Sequence, residues 1–268
     1  MNKRILVVCD IDGTLLNPQH QLDQFTIDTF KKLNQQRSDV IICLATGRSW
    51  EETKKIYQQL SLNTVTICCN SCQIVNYTDS NFKPRHFTFD RSFLVEILSD
   101  PVFIDDMEWT SLITVDQNYL FKSEKEIQQF LNQNFHQCHH EIVYIRTKFK
   151  CKSSVNYLFG RVKKIAANLL IQCWEYANKE IYFMEIGVPY ATKKLGIEFL
   201  ASYYNVDYRN IYLFGDNIND ITMLQMPCNT YALASGINQA KIYAKHITEK
   251  GNDQCGVANE LIKIFNIK

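Results

Sequence analysis

The sequence lacks any apolar run that approaches the roughly 18 residues a membrane-spanning helix needs. It also lacks a charge excess, because Lys+Arg 29 against Asp+Glu 28 leaves a net charge of +1 without a long basic or acidic block. The first residues run into an apolar segment without the hydrophobic stretch of an export signal. These absences argue against membrane and nucleic-acid partners, so we expect a cytoplasmic protein that binds a small molecule, with no obligatory protein partner evident.

Internal repeats and low-complexity segments are absent as well. The 10 cysteines would allow a disulfide framework, but many lie in strand-like runs of a chain without an export signal, which favours buried, reduced thiols. Cys69-Asn-Ser-Cys72 has the spacing of a zinc or redox pair, and His136-x-Cys138-His139-His140 resembles a metal-binding run. Without a second pair or a defined partner, we favour buried thiols for the first and a solvated loop for the second.

Short apolar runs alternate with helix-like segments along most of the chain. The runs lack two-residue alternation, which indicates strands buried on both faces, and the segments between them repeat apolar residues at spacings of three and four. The predicted strands are Ile5–Cys9, Val40–Ala45, Val65–Cys69 and Ile211–Phe214, and the predicted helices are Phe25–Gln36, Trp50–Leu60 and Lys193–Tyr204. This order predicts an α/β protein with a doubly wound, Rossmann-like parallel sheet.

The pattern changes in the middle third of the chain. Segments rich in Tyr, Phe, Thr and Asn alternate there with helical ones, as in His86–Asp90, Leu112–Phe121, Glu124–Phe135 and Ile142–Phe149. We expect an inserted α+β domain at 83–187, within a core formed by 1–82 and 188–268. Prolines near both boundaries are consistent with linkers.

Polar residues follow three of the predicted strands. The clusters are Asp10-Ile-Asp12-Gly13-Thr14, Ala45-Thr46-Gly47-Arg48 and Gly215-Asp216-Asn217-Ile-Asn219-Asp220, and Thr192-Lys193-Lys194 opens a helix. Ligands of doubly wound sheets bind outside the carboxyl ends of the strands, so these clusters are expected to converge in one crevice. Carboxylates beside a buried strand need a cation, a proton or hydrogen-bond donors to offset their desolvation.

With these residues the chain resembles the haloacid dehalogenase superfamily, in its Cof-type branch of sugar-phosphate phosphatases with a large α/β cap. The motifs that carry the resemblance are Asp10-x-Asp-Gly-Thr-Leu15, Thr46-Gly-Arg48, Glu185-Ile186 with Lys193, Gly215-Asp-x-x-Asn-Asp220 and Asn252-Asp-x-x-Gly-Val-Ala258. Together they cover nearly the whole chain, in the order of the family.

The resemblance implies a Mg²⁺-dependent phosphatase that hydrolyses a small phosphorylated metabolite, a sugar phosphate or similar phosphomonoester. Asp10 is expected to be the nucleophile that forms an aspartyl-phosphate, and Asp12 the general acid and base. The expected Mg²⁺ ligands are Asp10, the backbone carbonyl of Asp12, and Asp216. Asp220 is either a further ligand or a hydrogen-bond partner of one.

The remaining residues carried over from the family bind phosphate. Thr46 and the backbone N–H of Gly47 are expected to contact phosphoryl oxygens, with Lys193 and Asn219 completing the site. Lys194 is adjacent to Lys193, and the family interval favours Lys193.

Other positions in the motifs leave alternatives open or depart from the family. Arg48 forms either a surface ion pair or a substrate contact. Gly13 is expected to let the backbone approach the phosphate. The family often has Asn-Gly-Ala where this chain has Asn70-Ser71-Cys72, and glycine where it has Lys194, departures expected to alter a hinge or a turn.

Two other functions fit parts of the pattern. A phosphomutase of the same fold would share the two aspartates but transfer phosphate within a sugar. A non-catalytic sensor would bind a phosphorylated metabolite, although it has no use for the acid and base Asp12.

Overall fold

The computed structural model describes residues 4–134, 141–176 and 181–267, so the run His136-x-Cys138-His139-His140 lies outside the described residues. Two compact units are present, the first formed by Met1–Arg85 with Thr192–Lys268 and the second by His86–Ala191. The predicted fold class, α/β with a parallel-sheet core, is confirmed.

Among the described residues the strands are, in chain order, β1 (Ile5–Cys9), β2 (Val40–Leu44), β3 (Thr66–Cys68), β4 (Gln73–Val75), β5 (Arg85–His86), β6 (Met107–Thr114), β7 (Asn118–Phe121), β8 (Ile142–Phe149), β9 (Leu170–Tyr176), β10 (Ile181–Gly187), β11 (Ile211–Gly215), β12 (Asn229–Ala232) and β13 (His246–Ile247). The helices are α1 (Gln24–Gln36), α2 (Trp50–Gln59), α3 (Leu94–Leu98), α4 (Pro101–Asp106), α5 (Glu124–Gln129), α6 (Lys152–Ile165), α7 (Lys193–Tyr204), α8 (Ile221–Leu224), α9 (Asn238–Tyr243) and α10 (Gly256–Phe265).

The first unit is built on a parallel sheet with the strand order β13-β12-β11-β1-β2. Its strand β1 consists of apolar, mostly branched residues and lies between β11 and β2, buried along nearly its whole length. Cys9 is paired with Phe214 on one side and with Leu44 on the other. The three strands therefore end level with one another, and the residues that follow them start from the same edge of the sheet.

Helices cover this sheet and bury its side chains. α1 packs against α10, and Phe30 and Leu261 from these helices share a core with Val7 and Leu44 from the sheet. Val8, whose side chain alternates with that of Val7, is fully buried as well. Because successive strand residues point to opposite faces, both faces of the sheet are covered.

Two helices of this unit begin in contrasting ways. Ser49 and Glu52 form a capping box at the start of α2, which satisfies backbone N–H groups that have no partner within the helix. α7 begins after Thr192 without a side-chain cap and carries Lys193 and Lys194 in its first turn. Cations at a helix N-terminus are unfavourable, so this start needs compensation from other elements.

The second unit has an antiparallel sheet with the strand order β7-β6-β8-β10-β9. Phe103 of α4 packs edge-on against Phe149 of β8, and Leu158 of α6 is fully buried. This unit is therefore an α+β arrangement with its own apolar core.

The predicted elements differ from the structure mainly in the second unit. In the segment His86–Asp90, only the end of β5 and a single bridge from Phe89 to Ile142 form. The predicted segment Leu112–Phe121 is two strands, β6 and β7, joined by a turn. Within the predicted helix Glu124–Phe135, α5 covers Glu124–Gln129 and a wider helical turn covers Phe130–Asn134, while Phe135 lies outside the described residues.

Every cysteine among the described residues is a free thiol, and Cys69 and Cys72 are both buried. Within those same residues, no helix combines the length and the apolar character that crossing a bilayer requires.

We predict that Phe30→Ala lowers the free energy of unfolding by roughly 3–5 kcal/mol, since it removes a fully buried ring and leaves a cavity. Phe25→Ala is the control on the same helix, because the Phe25 side chain is 47% exposed. Its effect should stay within roughly 0.5 kcal/mol. Urea unfolding followed by circular dichroism measures both, and equal stability losses would contradict the assigned packing.

Candidate active site

The site begins where β1 ends. The backbone N–H of Asp10 donates to the carbonyl of Phe214 at 2.9 Å, and that of Ala45 donates to the carbonyl of Cys9 at 2.9 Å. These bonds extend the pairing of the strands by one residue beyond β1. The side chains of Asp10 and of the residues after β2 and β11 therefore emerge side by side.

Lys193 connects two of these side chains from within the protein. Its ammonium lies 2.6 Å from Oδ1 of Asp10 and 2.6 Å from Oδ1 of Asp220, and its side chain is 0% exposed. The neighbouring Lys194 is exposed and lies 3.8 Å from Glu198. Of the two adjacent lysines, only Lys193 meets the carboxylates.

Asp220 organises the loop that follows β11. Its Oδ2 accepts hydrogen bonds from the backbone N–H groups of Asp216 at 2.8 Å and Asn217 at 2.9 Å. Gly215 permits this, because a Cβ at that position would lie 2.5 Å from Cγ of Asp220. Both oxygens of Asp220 are thus engaged within the protein.

Asp216 is held by the turn that follows Asp10. The hydroxyl of Thr14 donates to Oδ1 of Asp216 at 2.7 Å. Gly13 has φ +76°, and a Cβ there would lie only 2.2 Å from Oδ2 of Asp216. The space taken by Asp216 is thus one reason for a glycine at position 13, and the approach to phosphate expected from the sequence stays a prediction.

The three carboxylates form a group with an unbalanced charge. Each of Asp10, Asp216 and Asp220 offers one carboxylate oxygen, and these three oxygens lie within 4.8 Å of one another. Among the described residues, no other three His, Cys, Asp or Glu side chains come together in this way. Burial raises the pKa of Asp10 to about 7 although the nearby Lys193 lowers it, and burial, with Asp220 and Asp10, raises the pKa of Asp216. Burial alone would lower the pKa of Lys193, but the two carboxylates raise it above its ordinary value. The group therefore favours additional positive charge.

Asp12 lies outside this carboxylate group and faces basic side chains instead. Nε of Arg48 donates to Oδ2 of Asp12 at 2.7 Å, and Nη2 donates to Oδ1 at 2.5 Å. Nδ1 of His20 lies 3.6 Å from Oδ1 of Asp12. Arg48 therefore forms an ion pair, which was one of the two alternatives expected for it, and its partner is Asp12, the expected general acid and base.

Thr46 and Asn219 are linked through Asn70. The backbone N–H of Asn70 donates to the carbonyl of Thr46 at 2.9 Å, and its side-chain oxygen accepts from Nδ2 of Asn219 at 3.1 Å. Thr46 is 1% exposed and accepts from the backbone N–H of Arg48 through its hydroxyl at 3.1 Å. Gly47, between Thr46 and Arg48, is partly exposed.

Ser71 secures the start of α7. Its hydroxyl donates to the carbonyl of Thr192 at 2.6 Å and accepts from the backbone N–H of Gly196 at 3.1 Å. Ser71 has φ 86°, in the left-handed region that favours glycine, as do Cys69 and Asn70 before it. The N–H of Gly196 also donates to the carbonyl of Thr192 at 3.4 Å, so Ser71 ties this strained turn to the first backbone hydrogen bond of α7.

Sequence reasoning missed three residues that shape the site: Thr14, Asn70 and Ser71. The signal for Thr14 was its place in the Asp-Gly-Thr cluster. Asn70 and Ser71 were noted only because they differ from the family pattern. Nothing in their spacing indicated that Asn70 contacts Asn219 or that Ser71 contacts α7.

A family model described as haloacid dehalogenase-like hydrolase matches residues 7–261. Among curated relatives, 5-amino-6-(5-phospho-D-ribitylamino)uracil phosphatase YitU of Bacillus subtilis (strain 168) is 22% identical over 277 residues, covering 99% of this chain and 99% of the relative. Phosphatase YwpJ of the same organism is 24% identical over 284 residues, covering 95% of this chain and 97% of the relative.

A solved structure with a similar fold is a haloacid dehalogenase-like hydrolase from Bacteroides thetaiotaomicron. Its TM-score is 0.79 at 18% identity, over 98% of this chain and 100% of that one.

We predict that Gly13→Ala lowers the free energy of unfolding by at least roughly 1 kcal/mol, because alanine is strained at this φ and its Cβ would meet Asp216. Gly160→Ala is the control in α6. Because nothing lies within 4 Å of the added Cβ, it should instead stabilise the protein by roughly 0.5–1 kcal/mol. Urea unfolding distinguishes these opposite signs, and an unchanged Gly13→Ala variant would contradict the assigned contact.

Proposed function

Since the chain belongs to the haloacid dehalogenase-like hydrolase family and is a phosphatase, we propose that it hydrolyses a small phosphomonoester, such as a sugar phosphate, through an aspartyl-phosphate. The observation that carries this proposal is the buried group of Asp10, Asp216 and Asp220 with Lys193 bonded to two of them. The family membership expected from the sequence motifs is confirmed.

In the proposed reaction Asp10 attacks phosphorus through a carboxylate oxygen. The bond from phosphorus to the substrate oxygen breaks, and the protonated carboxyl group of Asp12 gives its proton to that oxygen, which leaves as an alcohol. Asp12 then removes a proton from a water molecule, which attacks the aspartyl-phosphate and releases inorganic phosphate. The contrasting surroundings of the two aspartates support this division, because Asp10 contacts Lys193 in the interior and Asp12 contacts Arg48 near the surface.

The phosphoryl group needs donors and positive charge. We assign this role to Lys193, to the hydroxyl of Thr46, to the backbone N–H of Gly47 and to the side chain of Asn219. The link through Asn70 supports the assignment, because it fixes Asn219 to the backbone of Thr46.

The donor set fits Mg²⁺, since carboxylate oxygens are the ligands this hard cation prefers and the group favours more positive charge than Lys193 provides. Asp10, the backbone carbonyl of Asp12, and Asp216 would hold the ion, which when bound offsets the negative charge of the phosphate. Asp220 is better assigned as a supporting residue, because its oxygens already accept from Lys193 and from two backbone N–H groups.

We predict that the protein releases inorganic phosphate from at least one member of a panel of sugar phosphates, nucleotides and cofactor phosphates, and only with Mg²⁺. The substrate named for the Bacillus subtilis relative, 5-amino-6-(5-phospho-D-ribitylamino)uracil, belongs in that panel. Asp10→Asn should lower release by roughly a thousandfold or more, since it removes the nucleophile.

The activity of the Asp10→Asn variant and the fate of the phosphate group together decide between the candidate functions. Full activity in that variant would contradict the nucleophile assignment. Transfer of phosphate between positions of a sugar, without release, would favour a mutase. Binding of a phosphorylated compound in Mg²⁺ without turnover would favour a sensor.

We predict that Lys193→Met lowers phosphate release by roughly a hundredfold or more, because it removes the buried positive charge beside Asp10. Lys194→Met is the matched control from the next residue. It should change release by no more than about twofold, because an exposed ion pair contributes little. Steady-state phosphate assays on both folded variants test this, and equal losses would show that Lys193 has no special role.

A further inference from the structure

Arg48 holds the carboxylate of Asp12 through both of its oxygens. The two nitrogens of the guanidinium lie 2.7 and 2.5 Å from the two oxygens, a bidentate pair that fixes the plane of the carboxylate as well as its position. The Asp12 side chain is 28% exposed, so the pair fixes a carboxylate that lies beside solvent. Lysine offers a point charge and cannot replace such a fork.

The backbone of Arg48 is itself held by hydrogen bonds at both its N–H and its carbonyl. The N–H of Arg48 donates to the hydroxyl of Thr46 at 3.1 Å, and its carbonyl accepts from the N–H of Cys69 at 2.8 Å. Ser49, the next residue, caps α2. Arg48 is therefore placed by the same backbone that presents Thr46, and its side chain is only 20% exposed.

The pair with Arg48 uses part of the bonding capacity of the Asp12 carboxylate. A carboxylate has about four lone-pair positions, and a bidentate guanidinium occupies two of them. Held this way, Asp12 also stays apart from the group formed by Asp10, Asp216 and Asp220.

We propose that Arg48 is a positioning residue that aims the carboxyl group of Asp12, which carries the proton for this step, at the oxygen of the leaving group. This inference rests on the proposed phosphatase function and deepens it. Arg48 acts through Asp12, so its loss should matter in proportion to how much the leaving group needs a proton. Alkoxide leaving groups need one, whereas p-nitrophenolate is a stable anion that leaves without it.

The test compares kcat/KM for a sugar phosphate and for p-nitrophenyl phosphate, because kcat/KM includes the step in which the leaving group departs. We expect Arg48→Gln to lower kcat/KM for the sugar phosphate by roughly tenfold to a hundredfold, within the range that general acid catalysis contributes. For p-nitrophenyl phosphate the loss should be no more than a few fold. Arg48→Lys should recover only part of the loss, since it restores charge without the fork.

Arg37→Gln is the matched control. Arg37 forms the same bidentate pair with Asp39, at 2.8 Å for both nitrogens, on the loop before β2. That variant should leave both kcat/KM values unchanged.

A double-mutant cycle with Asp12→Asn separates positioning from other roles. If Arg48 acts through Asp12, Arg48→Gln should cause little further loss in the Asp12→Asn background. Losses that are equal for the two substrates, or that multiply in the double variant, would overturn the inference and leave Arg48 as a phosphate contact or a structural residue. Unchanged activity in the folded Arg48→Gln and Arg48→Lys variants would overturn it too.

The wild-type protein distinguishes this failure from that of the proposed function. Release of phosphate by the wild type but not by Asp10→Asn, together with equal losses in Arg48→Gln, would reject the role of Arg48 alone. A wild type that releases phosphate from neither substrate nor from the panel would reject the phosphatase mechanism and the role of Arg48 with it. Should Arg48→Gln fail to fold, Arg48→Lys provides the same comparison of leaving groups.

Discussion

A buried ammonium between two carboxylates is the interaction on which the rest of the site depends. Lys193 contacts Asp10 at the end of β1 and Asp220 after β11, and its side chain is completely shielded from water. Burying these charges is costly, and loss of one partner would leave another charge uncompensated in the interior. The ends of two strands and the start of α7 are therefore held in one arrangement.

Several local preferences are broken to build this arrangement. Lys193 lies in the first turn of a helix, where a cation is disfavoured, and α7 has no cap from its own sequence. Ser71 supplies a hydrogen bond to that helix from a turn of three non-glycine residues with positive φ. Such strain persists only where surrounding contacts over-determine it. The concentration of these features around Lys193 supports the role in the reaction that we propose for it.

The sequence predicted the backbone of the site better than its side-chain contacts. The strand Ile5–Cys9 and the helix Lys193–Tyr204 were predicted with their observed bounds, because apolar periodicity is a local property. The composition of the segment His86–Asp90 did not show how much of it pairs as a strand, since alternating aromatic and polar residues also occur in extended loops. The bond from Thr14 to Asp216 joins residues that are 202 positions apart, so it depends on strand register and rotamer, which spacing alone does not reveal. The ion pair between Arg48 and Asp12, which are 36 positions apart, depends on strand register and rotamer in the same way.

Asp10 and Asp12 are separated by one residue in sequence but have different electrostatic surroundings. Asp10 continues the line of β1 and meets an ammonium in the interior, where burial raises its pKa to about 7. Asp12 begins the turn that passes through Gly13 at φ +76° and meets the guanidinium of Arg48 beside solvent. Distinct environments of this kind are what the proposed roles require, with Asp10 as nucleophile and Asp12 as proton carrier at one phosphorus atom. The turn at Gly13, held by its close approach to Asp216, is what makes that separation possible within three residues of chain.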